Sequence, residues 1–219
     1  SITVNRVSNP IKRLDYTMWS SPVVGQNIQA FSPETLPERI YTYEGASNYV
    51  ATDVNLDFAS AKGYLFRAPN NWSTNPTPFN GSFVGVPFAS NVQIPTHVNN
   101  YTSVGNPYPS NIDADLFFLN NSGVSSIYFW TNYNPFDGTQ YTGNNYASYT
   151  FMGGVGSIGP ENNESNVPSG IISVGQGFIV SNEDSSVTFS NDIRTVSEAS
   201  FFKNQNVEKH RIWINFKGA

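Results

Sequence analysis

Cysteine is absent from the 219-residue chain, and histidine occurs only twice, at His97 and His210. Without cysteine there are no disulfides, thiolate nucleophiles or cysteine metal sites. The two histidines are far apart, and the nucleophile motif G-x-S-x-G is missing because Val155 stands where the serine would be. A serine triad would therefore have to be assembled without local support. We expect a protein without catalytic residues and without a resident cofactor.

Charge is also scarce, since only 12% of the residues are charged and the net charge is −5. The few lysines and arginines are scattered, apart from a small group of Arg6, Lys12 and Arg13. A nucleic-acid backbone requires a concentrated basic surface, so the sequence predicts no nucleic-acid partner. No apolar run approaches the roughly 20 residues that span a bilayer, which predicts no membrane insertion.

Short strands with alternating polarity occur throughout the chain, separated by Asn-Pro, Asp-Gly and Asn-Gly turns. Predicted strands include 2–7, 14–19, 53–58, 63–67, 82–88, 126–131, 147–152, 171–181, 186–189 and 209–216. Ile127 to Trp130 is apolar on both faces, which is typical of a central strand. The pattern predicts an all-β fold, a mainly antiparallel, jelly-roll-like β-sandwich formed by one domain over residues 1–219.

One segment departs from this pattern. Ser110-Asn111-Ile112-Asp113 has the form of a capping box and leads into Ala114-Asp115-Leu116-Phe117-Phe118-Leu119. Acidic residues in the first turn favour the helix dipole. We expect one short helix near residues 112–120.

A glycine-rich stretch, Gly154-Val155-Gly156-Ser157-Ile158-Gly159, matches the dinucleotide fingerprint G-x-G-x-x-G. That site requires a strand before the glycines and a helix after them. Here the glycines precede an acidic loop that is bracketed by Pro160 and Pro168. We predict no helix at residues 160–168, so the glycines form the exit of a strand.

Aspartates raise the question of a bound ion. Asp53-Val54-Asn55-Leu56-Asp57 resembles the start of an EF-hand loop, but Phe58 and Tyr64 occupy the positions that require Gly and Glu. Calcium at an irregular loop site stays open and unassigned; the loop aspartates are Asp113, Asp115, Asp137 and Asp184. A pair of carboxylates for glycoside hydrolysis also stays open, because such a pair is spatial.

Loop aromatics are the best indication of function, because sugars stack on flat rings while amides bind their hydroxyls. Trp72 follows Asn70 and Asn71 in a loop-like run, and Tyr133 and Tyr141 border a second loop rich in Asn and Gly. These five residues are the predicted ligand-binding set. The alternative for Trp72 is that it anchors its own loop on the core. Trp19, Trp130 and Trp213 lie in strand runs and are predicted to be core residues.

Several strings resemble one family along nearly the whole chain. They are 14–23 (LDYTMWSSPV), 63–69 (GYLFRAP), 105–115 (GNPYPSNIDAD), 127–131 (IYFWT), 146–149 (YASY), 175–180 (GQGFIV) and 210–215 (HRIWIN). Together they are similar to a β-rich domain near the C-termini of large surface proteins of Bacteroidetes, especially flavobacteria, that are exported by the type IX secretion system. The resemblance implies a fragment of an exported, adhesin-like protein at the outer cell surface or outside the cell, and it implies no catalytic residue.

The expected function is therefore a non-catalytic surface module that binds a glycan, or another protein chain at an exposed sheet edge. One alternative is a polysaccharide-degrading enzyme or its ancillary carbohydrate-binding domain. Another is a spacer or cargo domain that only the secretion machinery recognises.

Overall fold

The computed structural model describes residues 1–137, 139–158 and 167–198, and strands dominate this part of the chain. The strands are β1 (Ile2–Ile11), β2 (Tyr16–Trp19), β3 (Val23–Val24), β4 (Ile40–Tyr43), β5 (Tyr49–Ala51), β6 (Tyr64–Arg67), β7 (Thr77–Pro87), β8 (Val92–Pro95), β9 (Asn100–Gly105), β10 (Asn111–Asp113), β11 (Val124–Trp130), β12 (Tyr146–Thr150), β13 (Gly153–Val155), β14 (Ile171–Ile172), β15 (Gly177–Asn182), β16 (Ser186–Phe189) and β17 (Arg194–Thr195). The α-helices are α1 (Ile28–Phe31) and α2 (Ala114–Asn120), and short 3-10 turns cover Pro37–Arg39, Gly45–Ser47 and Asn191–Ile193.

The described strands pair antiparallel throughout. A five-stranded sheet has the order β13-β12-β11-β15-β9, and a four-stranded sheet has the order β2-β6-β4-β5. Smaller sheets are β1-β7-β3, β14-β10-β17 and the pair β16-β8. The predicted all-β, mainly antiparallel sandwich is confirmed. Ile127 to Trp130 lies in β11, the middle strand of the five-stranded sheet, as predicted.

One core lies between the four-stranded sheet and β1-β7-β3, with α1 at its side. Phe31 stacks on Phe83 with ring centroids 4.3 Å apart, and Trp19 meets both rings edge to face. These side chains are at most 5% exposed. Each such ring stabilises the fold by about 1.5–3 kcal/mol through burial alone.

A second core lies on one face of the five-stranded sheet. Phe117 of α2 contacts Phe178 of β15 and Phe189 of β16, with ring centroids 5.8 and 5.0 Å apart. All three side chains are fully buried, as is Ile127 at the centre of the sheet. Helix α2 therefore closes this face of the sheet.

The two large sheets meet along a seam where glycines let the backbones approach. Isolated bridges join Trp19 to Gln176 and Lys62 to Val104. A Cβ on Gly177 would lie 2.6 Å from Met18 Cγ, so only glycine fits there. Side chains alternate along a strand, so each sheet has one face on its own core and a second face on the opposite side. This second face of each sheet lies toward the seam.

The predicted helix near 112–120 is present as α2, but the predicted capping box is wrong in register. Asp113, not Ser110, is the N-cap, and its carboxylate accepts from the N–H groups of Asp115 and Leu116. Ile112 belongs to β10 instead. The sequence analysis missed α1, whose single turn is too short to show a period and is capped by Asn27.

The predicted strand at 53–58 is also wrong, because residues 54–56 form a turn and Asp57 makes only an isolated bridge to Asn27. Asp53 Oδ1 accepts from the backbone and side-chain amides of Asn55, and Leu56 N–H donates to the Asp53 carbonyl. An aspartate that bonds the backbone two residues ahead favours a turn over a strand. This local bonding outweighs the alternating polarity of the segment.

The glycine-rich stretch begins in β13 (Gly153–Val155), the returning strand of a hairpin, and Gly159 lies outside the described residues. Gly153 pairs with Thr150 and Gly154 with Tyr149, around a turn at Phe151–Met152. Gly154 is required by close approach, since a Cβ there would lie 2.4 Å from the Pro168 carbonyl oxygen. Val167 and Pro168 are not helical, and the rest of the loop predicted at 160–168 lies outside the described residues. So do His210, Trp213 and the strand predicted at 209–216.

Candidate functional site

Between the two large sheets the surface opens into two adjoining hollows, which we call the aromatic cleft. The first, the arginine hollow, has a volume of about 510 Å³ and is lined by Leu14, Tyr16, Arg39, Tyr41, Tyr49, Leu65, Arg67, Trp130, Phe136 and Tyr141. The second, the tyrosine hollow, has a volume of about 270 Å³ and is lined by Tyr43, Tyr101, Tyr128, Asn144, Tyr146, Ser148 and Ile179.

Strand alternation explains why these side chains meet. On β6, Tyr64 and Phe66 enter the first core, so Leu65 and Arg67 face the cleft. On β11, Ile127 and Phe129 enter the second core, so Tyr128 and Trp130 face the cleft. The cleft is therefore the shared second face of two sheets that each have a separate core.

Trp130 lines the arginine hollow and contacts three other rings. Its ring centroid lies 5.2 Å from that of Tyr141 and 5.2 Å from that of Tyr146, both edge to face. Tyr16 lies 6.5 Å away in the same arrangement. Edge-to-face contacts of this kind stabilise each ring pair and fix its orientation. The hollow is thus bounded by rings that hold one another in place.

Asn132 holds Trp130 and Tyr16 together. Its Oδ1 accepts from Trp130 Nε1 at 2.7 Å and from Tyr16 N at 2.9 Å, and its Nδ2 donates to the Tyr16 carbonyl. The residue has a φ of 49°, a left-handed conformation that asparagine tolerates better than most residues. One side chain therefore connects β2 to the end of β11.

A contact between the hydroxyls of Tyr49 and Tyr146 forms the wall between the two hollows. Burial raises the pKa of both hydroxyls above the ordinary tyrosine value. The neighbouring Tyr146, Tyr43 and Tyr141 raise the pKa of Tyr49 further. Both groups are therefore neutral at physiological pH and act as hydrogen-bond donors or acceptors. The tyrosine hollow continues from this wall through Tyr43, Tyr101 and Tyr128.

Arg39 and Arg67 are the charged groups among the described residues that line the cleft. Arg67 donates from Nη2 to Asn70 Oδ1 at 3.3 Å. Arg39 lies beside the hydroxyls of Tyr41 and Tyr16, and this proximity raises the pKa of Arg39. The pKa of Tyr16 is raised chiefly by its burial, and Arg39 and Arg67 counteract the shift. Tyr16 therefore lies close to both guanidinium groups.

The predicted ligand-binding residues lie at different places. Tyr141 lines the arginine hollow, and Tyr133 lines a neighbouring hollow of about 470 Å³ that shares Leu14 and Phe136 with it. Trp72 donates from Nε1 to the Thr77 carbonyl at 3.3 Å and meets Phe79 edge to face, so it fastens its own loop.

Asn70 supports the cleft from outside. Its carbonyl and Oδ1 accept from Arg13 at 2.7 and 3.2 Å, and the same Oδ1 accepts from Arg67. Asn71 is exposed beside it. Neither Trp72, Asn70 nor Asn71 is among the described residues that line the aromatic cleft.

Sequence reasoning missed most of the cleft. Trp130 was expected in the core and is indeed only 9% exposed, but it also lines the arginine hollow. The other lining aromatics outside the predicted ligand-binding set are Tyr16, Tyr41, Tyr43, Tyr49, Tyr101, Tyr128, Phe136 and Tyr146. The signal was present in Tyr41-x-Tyr43 and Tyr128-x-Trp130, which place aromatic rings on the second face of a strand.

Three of the four loop aspartates serve local structure. Asp113 caps α2, and Asp115 accepts from the Tyr149 hydroxyl at 3.0 Å. Asp137 accepts from the N–H groups of Gln140 and Thr139, which lowers the pKa of its carboxyl. Within residues 1–137, 139–158 and 167–198, no three His, Cys, Asp or Glu side chains group around a metal-sized site. No helix in these ranges is long and apolar enough to cross a membrane.

Comparison with known proteins places the chain in a family. The model of the family described as "Domain of unknown function (DUF8693)" matches residues 1–219, so the chain belongs to that family. No curated protein matches the chain. No solved structure matches it either.

Proposed function

We propose that this DUF8693 domain is a non-catalytic carbohydrate-binding module of an exported bacterial surface protein, and that the aromatic cleft is its binding site. One observation carries the proposal: two sheets with separate cores turn their second faces together, and both faces bear aromatic side chains. Met18, Leu65, Trp130 and Ile179 are buried where these faces meet, and packing accounts for them. The tyrosines around them are only partly buried and line open hollows, which a ligand-binding function accounts for.

The chemistry of the cleft suits a sugar. The apolar C–H faces of a sugar ring pack on aromatic rings, while its hydroxyls require nearby donors and acceptors. Tyrosine supplies both, and Asn144 and Ser148 add an amide and a hydroxyl in the tyrosine hollow. Two adjoining hollows accommodate successive sugar units of one chain, separated by the wall of Tyr49 and Tyr146.

Binding is favoured over hydrolysis by the groups in the cleft. Glycoside hydrolysis requires a carboxylic acid and a second carboxylate on opposite sides of the bond that breaks. The described residues that line the two hollows include no aspartate or glutamate. The polysaccharide-degrading alternative would need its acid groups from elsewhere in the chain.

Export to the cell surface is supported by the resemblance of the chain to the flavobacterial surface domain described above. A surface location would bring the cleft into contact with polysaccharides of other cells or of the surroundings. Recognition by the type IX secretion machinery belongs to the same proposal. This recognition concerns how the protein reaches the cell surface rather than what the cleft binds.

A polysaccharide array tests the binding function. The wild type is compared with Tyr141→Ala, which removes a ring from the arginine hollow, and Tyr128→Ala, which removes one from the tyrosine hollow. Phe151→Ala is the matched control, because Phe151 is an exposed ring on the β12–β13 turn, outside the cleft. Trp72→Ala tests the loop aromatic.

We expect the wild type and Phe151→Ala to bind the same polysaccharide, and each tyrosine variant to bind at least about tenfold more weakly, as loss of a stacked ring would cause. Tyr141→Phe and Tyr128→Phe keep the rings and separate stacking from hydroxyl contacts. If binding is retained in Tyr141→Ala and Tyr128→Ala but lost in Trp72→Ala, the binding site lies in the loop of Trp72. Absence of binding to any polysaccharide would overturn the proposal.

A further inference from the structure

We propose that the arginine hollow selects an acidic saccharide, with Arg39 and Arg67 receiving the carboxylate of a uronic acid unit. This inference rests on the proposed carbohydrate-binding function and specifies the class of sugar. A neutral sugar would satisfy the rings but would leave both guanidinium groups without an anion.

The charge of the hollow opposes that of the chain. The protein has a net charge of −5, yet the charged side chains among the described residues lining the hollow are two arginines. Both arginines line this hollow together with Tyr16. An anion bound in the hollow would therefore lie in the field of both guanidinium groups.

Among the residues that the structure describes, no carboxylate forms an ion pair with Arg39 or Arg67. Within the described part of the chain, the ion pairs are those of Glu44 with Lys62 and His97. The Nε of Arg67 is buried and makes no hydrogen bond. Because this atom has no accessible surface, a carboxylate in the hollow would bind the Nη groups, in the way that carboxylates usually bind an arginine fork.

Arg67 is held in position before a ligand arrives. Asn70 Oδ1 accepts from Arg67, and the Asn70 carbonyl also accepts from Arg13. Arg39 ends the 3-10 turn Pro37–Arg39 and lies beside the Tyr41 hydroxyl. Side chains that are already fixed lose less entropy when they bind, which increases affinity.

Positive charge continues beyond the hollow. The neighbouring hollow that shares Leu14 and Phe136 is lined by Lys12 and Arg13, with Asp15 as its carboxylate. Asp15 accepts from the Lys12 backbone N–H. A polymer with a carboxylate on successive units would match this row of cations better than a single charged sugar would.

A saccharide fits better than the chain's own C-terminal residues. Residues 199–219 carry Lys203, Lys209, Arg211 and Lys217 against Glu208, so their charge has the same sign as that of the hollow. An acidic peptide would match the charge, but it would not account for the tyrosines that line both hollows. Polyglutamate therefore serves as the competing probe below.

Isothermal titration of the full chain tests the inference with a matched pair of probes. The first is a galacturonic acid tetramer, and the second is its methyl ester, which has the same rings without the charges. The variants are Arg39→Gln and Arg67→Gln, with Arg194→Gln as the control, because Arg194 contacts Tyr108 outside the cleft. Titrations are run at about 20 and about 300 mM NaCl, where screening differs strongly.

We expect the acid to bind at least about tenfold more tightly than the ester in low salt, as charge-assisted hydrogen bonds would cause. Added salt should reduce the difference in affinity between the acid and the ester, because it screens the charges. Arg39→Gln and Arg67→Gln should each reduce the affinity for the acid about tenfold and leave that for the ester unchanged. Arg194→Gln should match the wild type. A thermal melt of each variant shows that it is folded.

Other outcomes separate the two proposals. Equal binding of acid and ester, with Tyr141→Ala weakening both, would overturn the proposed selectivity for acidic saccharides. The proposed carbohydrate-binding function would still hold. The same conclusion follows if neutral polysaccharides bind and neither galacturonate probe does. If polyglutamate binds as tightly as the galacturonate tetramer, the proposal that the anionic ligand is a saccharide is overturned. Failure of every saccharide on the array and in titration would overturn both proposals.

Discussion

At the scale of single residues, Asn132 connects Trp130 to the backbone of Tyr16, and both of these residues line the arginine hollow. It accepts from the indole of Trp130 and from the backbone of Tyr16, and it does so with a positive φ. Trp130 is mostly buried, so water does not readily replace a lost partner of its indole N–H. The side chain and the unusual backbone of Asn132 therefore act together.

Replacing this asparagine tests that dependence. We expect Asn132→Ala to lower the free energy of unfolding by about 2–4 kcal/mol, because two donors lose their acceptor and alanine is strained at a left-handed φ. Asn132→Gly removes the hydrogen bonds without the strain and should cost less. Urea denaturation measures both, and exposed Asn71→Ala should stay within about 0.5 kcal/mol of the wild type. A similarly small change in Asn132→Ala would contradict the role of the side chain.

At the scale of elements, the glycine seam determines how the two large sheets meet. Gly177 begins β15, and a Cβ there would approach Met18 Cγ to 2.6 Å and the Trp19 carbonyl oxygen to 2.9 Å. Gly63 is similar, because a Cβ would lie 2.3 Å from the Val104 carbonyl oxygen. Backbone atoms cannot rotate away, so a side chain at either position would push the sheets apart.

A substitution at the seam should affect both stability and binding. We expect Gly177→Ala to lower the free energy of unfolding by about 1–3 kcal/mol, the usual cost of overpacking. It should also weaken binding in the cleft, because Trp130 and Leu65 would move apart. Chemical denaturation and polysaccharide binding are measured beside Ser181→Ala on the same strand. Wild-type stability and affinity in Gly177→Ala would show that the close approach is unnecessary.

Sequence patterns predict strands well where alternation and turn residues agree, and less well where a side chain bonds its own backbone. Ser186–Phe189 is found as β16 with the predicted bounds, and Ile127 to Trp130 lies in the central strand, as predicted. Asp53 to Phe58 fails because Asp53 closes a turn. Period-2 patterns show that a strand has two faces, but not which sheet covers each of them.

The same limit explains the candidate site. Tyr141 was predicted because it lies in a loop, where rings are conspicuous. Tyr41 and Tyr128 were missed because a ring in a strand suggests a core residue. They line the cleft only because sheets far apart in sequence meet at the seam. That arrangement depends on tertiary packing, which one sequence does not display.

At the scale of the whole molecule, the abundance of partly buried tyrosine makes stability sensitive to alkaline pH. Burial raises the pKa of Tyr149 to about 12, with the Asp115 carboxylate adding to the shift. Burial likewise raises the pKa of Tyr49, Tyr64 and Tyr146. In the unfolded chain these hydroxyls ionise near pH 10.

The sign of the pH dependence follows from these shifts. Below about pH 10 the tyrosines are neutral in both states, and above it the unfolded chain loses protons that the folded protein keeps. Stability should therefore fall steadily between about pH 9 and pH 12. Urea denaturation across this range, with tyrosinate absorbance followed in parallel, measures it. Tyr149→Phe should show a smaller fall, and a fall equal to that of the wild type would contradict the contribution of Tyr149.

The central claim is that the aromatic cleft is where this protein binds saccharide, and NMR chemical-shift mapping tests it most directly. The full chain is titrated with a fragment of the polysaccharide that the array selects. We predict saturable shifts of the Trp130 indole and of the Tyr16 and Tyr41 amides, with the Trp72 indole unchanged. Shifts confined to Trp72 and its loop, or to the sheet β1-β7-β3, would contradict the account.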